Sequence, residues 1–239
     1  MSKVLILAPS GFGKSSSIGK IPEFNQEGLN PKETFIITVT SKPLPFKGSQ
    51  SQYKICDASQ PPTAENGNRF ITNQGAIIAK IINFVSANRP EIKNIVIDDS
   101  NYVMQDYYMA NSLKKGYDVF KEIGAMMNEI FTAMELQPNM NFFMMGHYEE
   151  FKDSSLDTVS YRYKTTGKMT QDYITPEGKF EIVLFGKQTY DHETQKVSKQ
   201  FVTNFDGQFP SKSPVGMFKD LYIPNDLGFV TKQISNYYN

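Results

Sequence analysis

A glycine-rich segment near the start of the chain has residue types and spacing suited to phosphate binding. It spans residues 8–15 and reads APSGFGKS, which matches the P-loop pattern except that alanine replaces the first glycine. Gly11 and Gly13 allow the backbone to curl so that successive N–H groups face phosphate oxygens. Lys14 would reach the β- and γ-phosphates, and the Ser15 hydroxyl would be a ligand of Mg²⁺. The predicted nucleotide-binding residues are Ser10, Gly11, Phe12, Gly13, Lys14, Ser15 and Ser16.

Two adjacent carboxylates follow a short apolar run at residues 95–97. A carboxylate at the end of a buried strand is the second part of a P-loop nucleotidase, where it holds the metal ion. We assign Asp98 to the metal and Asp99 to the attacking water, as the catalytic carboxylate. Because neighbouring strand residues point to opposite faces, the pattern leaves open whether both acids act.

His147 follows another apolar run, at residues 141–145. Ligands of open α/β sheets bind outside the carboxyl ends of the strands, so a polar side chain at this place can face the γ-phosphate. We predict that His147 senses the γ-phosphate, with a hydrogen-bonded surface histidine as the alternative.

Cations that could assist phosphoryl transfer are few, because the chain contains three arginines. This scarcity argues against a small-molecule kinase, since such kinases clamp the transferring charge with several arginines. An added cation would come from Arg162, Lys164, Lys168 or Lys212, with Lys212 acting across a subunit boundary. Residues 161–168 also interleave tyrosine with positive charge, a mix that binds single-stranded DNA by base stacking and phosphate pairing. The predicted DNA-binding residues are Arg162, Lys164, Lys168, Lys196 and Lys199; a solvated loop is the alternative for the segment at 161–168.

The elements that must position these residues alternate between strands and helices. Apolar, β-branched runs predict buried strands at residues 3–7, 34–40, 94–98 and 141–145, and helical spacing of apolar residues predicts helices over 77–85 and 119–134. A helix is also expected directly after the P-loop. Alternation after residue 178 predicts an antiparallel hairpin with its turn at 191–194, residues 42–68 read as a long surface loop, and the end of the chain reads as a capped helix. The fold class is therefore α/β, a mainly parallel sheet flanked by helices with an added antiparallel hairpin.

Composition is that of an ordinary globular protein. The chain has 239 residues, with 25 Lys plus Arg against 25 Asp plus Glu, and a single cysteine. This balance argues against disorder and against bulk electrostatic coating of nucleic acid. No apolar stretch has the length that a membrane span requires, so we expect a cytoplasmic protein without membrane contact.

The chain resembles the phage-encoded RecA-like ATPases, and among them the core-only single-strand annealing proteins of the Sak type. The motifs that carry the resemblance are APSGFGKSS at 8–16, IVIDDSNYVM at 95–104, NFFMMGHYEE at 141–150, TTGKMTQDYITPEGKFEIVLF at 165–185 and KSPVGMFKDLYIPNDLGFV at 212–230. The resemblance implies one RecA-like ATPase domain over residues 1–239, with 206–239 as a C-terminal extension. Its P-loop lysine and hydroxyl map onto Lys14 and Ser15, its metal-side aspartate onto Asp98, and its sensor position onto His147.

The resemblance also implies a function. The protein would bind ATP and Mg²⁺, hydrolyse ATP, bind single-stranded DNA and promote annealing or strand pairing in the cytoplasm of a phage-infected bacterium. It would assemble into a ring or filament and could act with a phage single-strand-binding protein. Two alternatives stay open: a nucleotide or small-molecule kinase that ignores DNA, and an ATP-gated replication accessory, such as a helicase loader, with little turnover.

Overall fold

A large, mainly parallel sheet forms the centre of the structure, a computed structural model that describes residues 1–114, 116–153, 158–168, 170 and 174–238. Residues 169 and 171–173 of the motif at 165–185 lie outside the described residues. The described residues form ten strands: β1 (Lys3–Leu7), β2 (Thr34–Thr38), β3 (Arg69–Ile71), β4 (Asn94–Asp98), β5 (Asn141–Gly146), β6 (Tyr148–Asp153), β7 (Thr158–Tyr163), β8 (Ile182–Asp191), β9 (Lys196–Val202) and β10 (Tyr222–Pro224). Eight of them form one sheet in the order β10-β9-β8-β1-β5-β4-β2-β3, and β6 pairs with β7.

The strand order places the predicted site at the carboxyl ends of the central strands. β1 pairs in parallel with β5 and β8, and β5 pairs in parallel with β4. The carboxyl ends of β1, β5 and β4 therefore lie side by side, and they carry the P-loop, His147 and Asp98 respectively. The sequence-based fold class, an α/β fold with a mainly parallel sheet flanked by helices and an added antiparallel hairpin, is confirmed.

Both faces of the sheet are covered. The helices are α1 (Ser49–Gln52), α2 (Gly75–Asn88), α3 (Asn101–Ala110), α4 (Asp118–Glu135) and α5 (Leu227–Tyr238). On one face, Leu5, Ile37, Ile95 and Met144 pack with apolar side chains of α2, α3 and α4. On the other face, the alternate strand residues pack with α5 and with the segment that contains α1. Strands buried on both sides need continuous apolar sequence, which is why the sequence revealed them.

The predicted helix after the P-loop is wrong. Residues Ser15–Ile18 form a single 3-10 turn, and a second short turn follows at Pro22–Phe24. Three consecutive serines favour helix weakly, and Gly19 and Pro22 end it at once. The chain therefore leaves the P-loop in an irregular segment, residues 19–29.

The predicted hairpin and terminal helix are both present. β8 pairs with β1 and then turns at residues 192–195 into antiparallel β9. The terminal helix α5 begins after Asp226, whose carboxylate accepts from the backbone N–H of Gly228 at 2.9 Å. α5 buries Leu227, Val230 and Ile234 against its own sheet, so the end of the chain completes this core.

One hairpin was not predicted, and two predicted segments differ from the structure in extent or content. β6 and β7 form a hairpin that the sequence analysis did not predict, and the strand predicted over 34–40 ends at Thr38. The predicted loop 42–68 contains α1 and buries Leu44 and Tyr53. In the described part of the chain, no helix is both long and apolar enough to cross a membrane.

Candidate functional site: a P-loop beside two carboxylates and a histidine

The P-loop backbone has the curvature that its glycines predict. Gly11 and Gly13 adopt φ values of +77° and +104°, a region that residues with a Cβ rarely enter. Within the described residues, the backbone N–H groups of Gly13, Lys14, Ser15 and Ser16 find no acceptor. Unpaired amides that follow one another along a curled loop form a binding site for an anion, and this holds without a regular helix behind them.

Phe12 differs from the other P-loop residues because its side chain belongs to the core. Its ring is fully buried, with its centroid 5.9 Å from that of Phe201 in β9. Only the backbone of Phe12 is therefore available to a phosphate. Ser10 is exposed, whereas Ser15 and Ser16 are half-buried at the start of the 3-10 turn.

The Lys14 side chain is 5% exposed and folds back onto the loop. Its amine donates to the carbonyl oxygens of Ala8 at 2.8 Å and Pro9 at 3.2 Å, and it lies 3.4 Å from Nδ1 of His147. Burial lowers the pKa of Lys14 to about 8, while two neighbouring carboxylates act in the opposite direction. A desolvated amine interacts strongly with an incoming phosphate oxygen because the local dielectric constant is low.

Asp98 is buried at the end of β4 and carries an unpaired oxygen. Its Oδ1 has no hydrogen-bond partner in the described part of the chain. Burial, followed by the charge of Asp99, raises the pKa of Asp98 to about 6, while the Ser15 hydroxyl and Lys14 oppose this rise. A buried carboxylate oxygen without a donor fits a cation ligand, and a hydroxyl beside it fits the oxygen preference of Mg²⁺.

The metal site implied here has few protein ligands. The described residues contain no cluster of three or more His, Cys, Asp or Glu side chains that could hold a metal ion. Mg²⁺ at a phosphate site commonly uses one or two protein oxygens and completes its shell with phosphate oxygens and water. Asp98 and Ser15 therefore suit a cation that arrives with a nucleotide.

Asp99 has a backbone conformation that brings it into the same crevice. Its φ of +62° is unusual for a residue other than glycine, so the strand alternation ends at Asp98. The carboxylate accepts a hydrogen bond from the Thr40 hydroxyl at 3.2 Å, and its Oδ1 lies 3.9 Å from Nε2 of His147. Backbone strain of this kind concentrates at functional sites. The structure therefore places both acids at the crevice, an alternative that the sequence left open.

His147 lies between the P-loop and Asp99. Its Nδ1 is 3.2 Å from the carbonyl oxygen of Ala8 and 3.4 Å from the Lys14 amine. The tautomer of the ring decides whether Nδ1 donates to the carbonyl or accepts from the amine. Burial lowers the pKa of His147, the positive charge of Lys14 lowers it further, and Asp99 acts against both. A lowered pKa favours the neutral ring at neutral pH, and Nε2 lies 3.9 Å from Oδ1 of Asp99.

Asn101, in the first turn of α3, fixes the backbone around His147. Its side chain accepts from the His147 N–H and donates to the carbonyl oxygen of Lys164. A Cβ at Gly146 would lie 2.6 Å from Asn101 Oδ1 and from the ring of Tyr163. The glycine is therefore required for this close approach of β5, α3 and β7.

The predicted DNA-binding residues lie on, or shortly after, the two hairpins β6–β7 and β8–β9. Arg162, in β7, donates to Glu149 Oε1 at 3.0 Å and stacks 4.4 Å from the Phe151 ring centre. Lys164, Lys168 and Lys196 are exposed. Both hairpins extend past the carboxyl ends of the central strands, and an aromatic cluster joins them through Tyr148, Tyr161, Phe185 and Phe209.

Two of the predicted cations occupy other places. Lys199 reaches the P-loop of its own chain, where its amine donates to the carbonyl oxygen of Gly11 at 2.8 Å. Lys212 pairs through its backbone with Val183, and its side chain is exposed. Val183 lies opposite Leu5 in the middle of β1, so Lys212 is away from the P-loop of the same chain.

The sequence analysis missed four polar residues of the site: Thr40, Asn101, Lys199 in its observed place, and Asn225. Asn225 donates to the carbonyl oxygen of Gly13 at 3.0 Å from 212 positions along the chain. Sequence alone offers no signal for contacts over such separations. Thr40 and Asn101 do follow the strand ends of β2 and β4, and that position was the available signal.

Comparison with known proteins identifies no family. No family model matches the chain, and no curated protein matches it. A solved structure similar to it is that of a KaiC-like protein from the hyperthermophilic archaeon Pyrococcus horikoshii OT3, with a TM-score of 0.46 and 11% sequence identity over 85% of this chain and 79% of that chain.

Proposed function

We propose that the protein is an ATP-binding, Mg²⁺-dependent P-loop ATPase. The observation that carries the proposal is the convergence at one sheet edge of the unpaired P-loop amides, the buried Lys14 amine and the unpaired Oδ1 of Asp98. The first two suit phosphate oxygens, and the third suits the cation that accompanies a nucleoside triphosphate.

In this proposal each side chain has a distinct task. The loop amides and Lys14 bind the β- and γ-phosphates and stabilise the charge that develops on the transferring group. Mg²⁺, held by Ser15 and Asp98, would neutralise phosphate charge when bound. Asp99, fixed by Thr40, accepts a hydrogen bond from the attacking water and takes one of its protons as the water oxygen bonds to the γ-phosphorus. The bond from that phosphorus to the leaving ADP oxygen breaks in the same step.

His147 is the γ-phosphate sensor in this mechanism. It contacts the P-loop at Ala8, the Lys14 amine and the Asp99 carboxylate. When Lys14 leaves Ala8 and Pro9 for a phosphate, the His147 ring loses a positive neighbour. A ring in contact with both the binding and the hydrolytic groups can transmit the presence of the γ-phosphate to β6, which starts at the next residue.

We also propose that the ATPase acts on single-stranded DNA, as a phage recombination protein that promotes annealing. What supports this is the placement of exposed lysines beside the nucleotide site: Lys164 and Lys168 follow the β6–β7 hairpin, and Lys196 lies on the β8–β9 hairpin. The resemblance of the sequence motifs to Sak-type proteins supports the same role. A homo-oligomer, in which Lys212 reaches a neighbour's phosphates, belongs to this proposal, and sedimentation velocity with and without ATP tests it.

Steady-state ATP hydrolysis with Mg²⁺, with and without single-stranded DNA, tests the proposed activity. The Lys14→Ala variant should lose at least about 100-fold in turnover, because one preorganised charge at a developing oxyanion is worth several kcal/mol. The fold should stay intact, which circular dichroism checks.

Lys20→Ala is the matched control, since Lys20 is exposed six residues further along the chain and should leave turnover unchanged. Equal turnover in wild type and Lys14→Ala would contradict the P-loop assignment. Turnover that ignores DNA would favour a kinase, and ATP binding without turnover would favour an ATP-gated accessory.

A further inference from the structure

A cavity of about 650 Å³ opens beside the P-loop, on the side of Gly13 and Ser16. Its volume is in the range of small-ligand pockets. The wall toward the loop contains Phe12, Gly13 and Ser16. The other walls come from the irregular segment after the P-loop, from Val197 and Lys199 of β9, and from residues around the start of α5.

Two side chains of this cavity hold the P-loop through its carbonyl oxygens. Lys199 donates to the carbonyl oxygen of Gly11 and Asn225 to that of Gly13, at 2.8 and 3.0 Å. These two bonds, together with the one that the Ser17 N–H donates to Gly13 at 3.1 Å, restrain the orientation of the peptide planes of the loop. Lys199 and Asn225 therefore connect the shape of the cavity to the shape of the phosphate site.

Apolar and polar side chains line the cavity in similar number, and one polar atom of this lining has no partner among the described residues. Phe24, at its edge, is 80% exposed, and the walls include Ile21, Pro224 and Phe229. An exposed aromatic ring at a cavity edge is suited to stacking on a flat heterocycle. The Oδ1 of Asn225 is buried and has no partner among the described residues, so it is available to accept a hydrogen bond from a ligand.

We propose that this cavity binds the nucleoside part of the nucleotide, with Phe24 stacking on the base and with Lys199 and Asn225 as positioning residues that hold the P-loop. The proposal rests on the proposed function, because the cavity continues the site in which the phosphates would lie. Ser16, one of the predicted nucleotide-binding residues, stands at the junction of the two. A nucleotide with its phosphates on the loop amides would extend its ribose and base past Ser16 into the cavity.

Calorimetric titrations with ADP and with inorganic pyrophosphate, both in Mg²⁺, separate the two parts of the site. Wild type should bind ADP more tightly than pyrophosphate, because only ADP has a base. Phe24→Ala should lower the affinity for ADP about tenfold, the effect of losing one base-stacking ring, and should leave the affinity for pyrophosphate unchanged. Lys199→Met should lower the affinity for both ligands, since it removes a hydrogen bond that holds the P-loop.

Phe205→Ala is the control, because Phe205 is 67% exposed and lies outside the cavity; it should match wild type with both ligands. If wild type binds both ligands and Phe24→Ala keeps full affinity for ADP, the nucleoside cavity is overturned while the P-loop assignment stands. If wild type binds neither ligand, the proposed function itself fails. Equal affinity of Lys199→Met and wild type for pyrophosphate would overturn the positioning role.

Discussion

Asp98 holds a charge at a place where charge is costly for the folded protein. Burial raises its pKa to about 6, above the 3.8 of an ordinary aspartate, so the folded state binds the proton more tightly than the unfolded chain. The free energy of unfolding therefore falls as pH rises from about 4 to 6, and the full cost is present above pH 6. The two pKa values correspond to a cost on the order of 2 to 3 kcal/mol.

Asp98→Asn should accordingly raise the stability of the nucleotide-free protein at pH 7.5, and the gain should shrink as the pH is lowered toward 4. Urea unfolding at several pH values measures this. Asp220→Asn should show no such gain, because Asp220 is exposed and lies two residues before β10. A loss of stability in Asp98→Asn at pH 7.5 would mean that the carboxylate makes a stabilising contact, which contradicts its role as an unpaired ligand.

The residues of the site differ in how far sequence could predict them. Asp98, Asp99 and His147 stand at the ends of apolar strands, and Lys14 and Ser15 lie on the P-loop that follows β1. Because the carboxyl ends of parallel strands meet at one edge, local pattern was enough to bring them together. Their roles stay predictions. The contact of Lys199 with the P-loop was not predicted, because nothing local reveals that β9 returns past the P-loop.

At the level of elements, the segment after the P-loop is stabilised from the far end of the chain. Asp226 accepts hydrogen bonds from the backbone N–H groups of Glu27 and Gly28, at 2.8 and 2.9 Å, as well as from Gly228 in α5. Gln26 donates to the carbonyl oxygens of Ser16 and Gly19, both at 2.6 Å. These contacts replace the missing helix as the support of the P-loop.

Asp226→Ala should therefore destabilise the protein by about 1 to 3 kcal/mol, because it removes a helix cap and leaves backbone donors without an acceptor. Urea unfolding measures the loss, and Asp220→Ala is the control because that aspartate is exposed. Nucleotide affinity should fall with stability, since the P-loop loses its support. Unchanged stability in Asp226→Ala would show that the segment after the P-loop is stable without its contacts to Asp226.

The same elements show why periodicity succeeded in one place and failed in another. β1, β2, β4 and β5 are buried on both faces, so their sequence is continuously apolar and easily recognised. β6 and β7 carry charged residues at half-exposed positions such as Glu149 and Arg162, and this pattern is typical of a loop. The hairpin forms because its tyrosines pack on Phe185 and Phe209, a long-range contact.

For the molecule as a whole, the two hairpins and the nucleotide site share one edge. Lys164 lies next to Tyr163, whose hydroxyl is 2.9 Å from that of Ser100, just after the acidic pair. Lys196 is the first residue of β9, and Lys199 of the same strand contacts the P-loop. A strand of DNA that touches both hairpins would therefore contact elements tied directly to the hydrolytic groups. This connection provides a physical route for DNA to alter turnover.

Replacing Lys164, Lys168 and Lys196 together by alanine should weaken binding to a fluorescent single-stranded oligonucleotide. For every lysine–phosphate pair that the variant no longer forms, the slope of log affinity against log salt should fall by about 0.7, the value for single strands. DNA stimulation of ATP hydrolysis should fall in parallel, whereas basal turnover should remain, because none of the three touches the P-loop.

A variant with Lys32, Lys80 and Lys232 replaced by alanine removes the same charge from exposed positions elsewhere. It controls for net charge, which alone can shift the affinity for a polyanion. A smaller salt slope in the first variant only would locate the DNA on the two hairpins. Equal weakening in both variants would instead show that any DNA binding follows overall charge. That result would contradict the connection from bound DNA through Tyr163 and Lys199 to the nucleotide site.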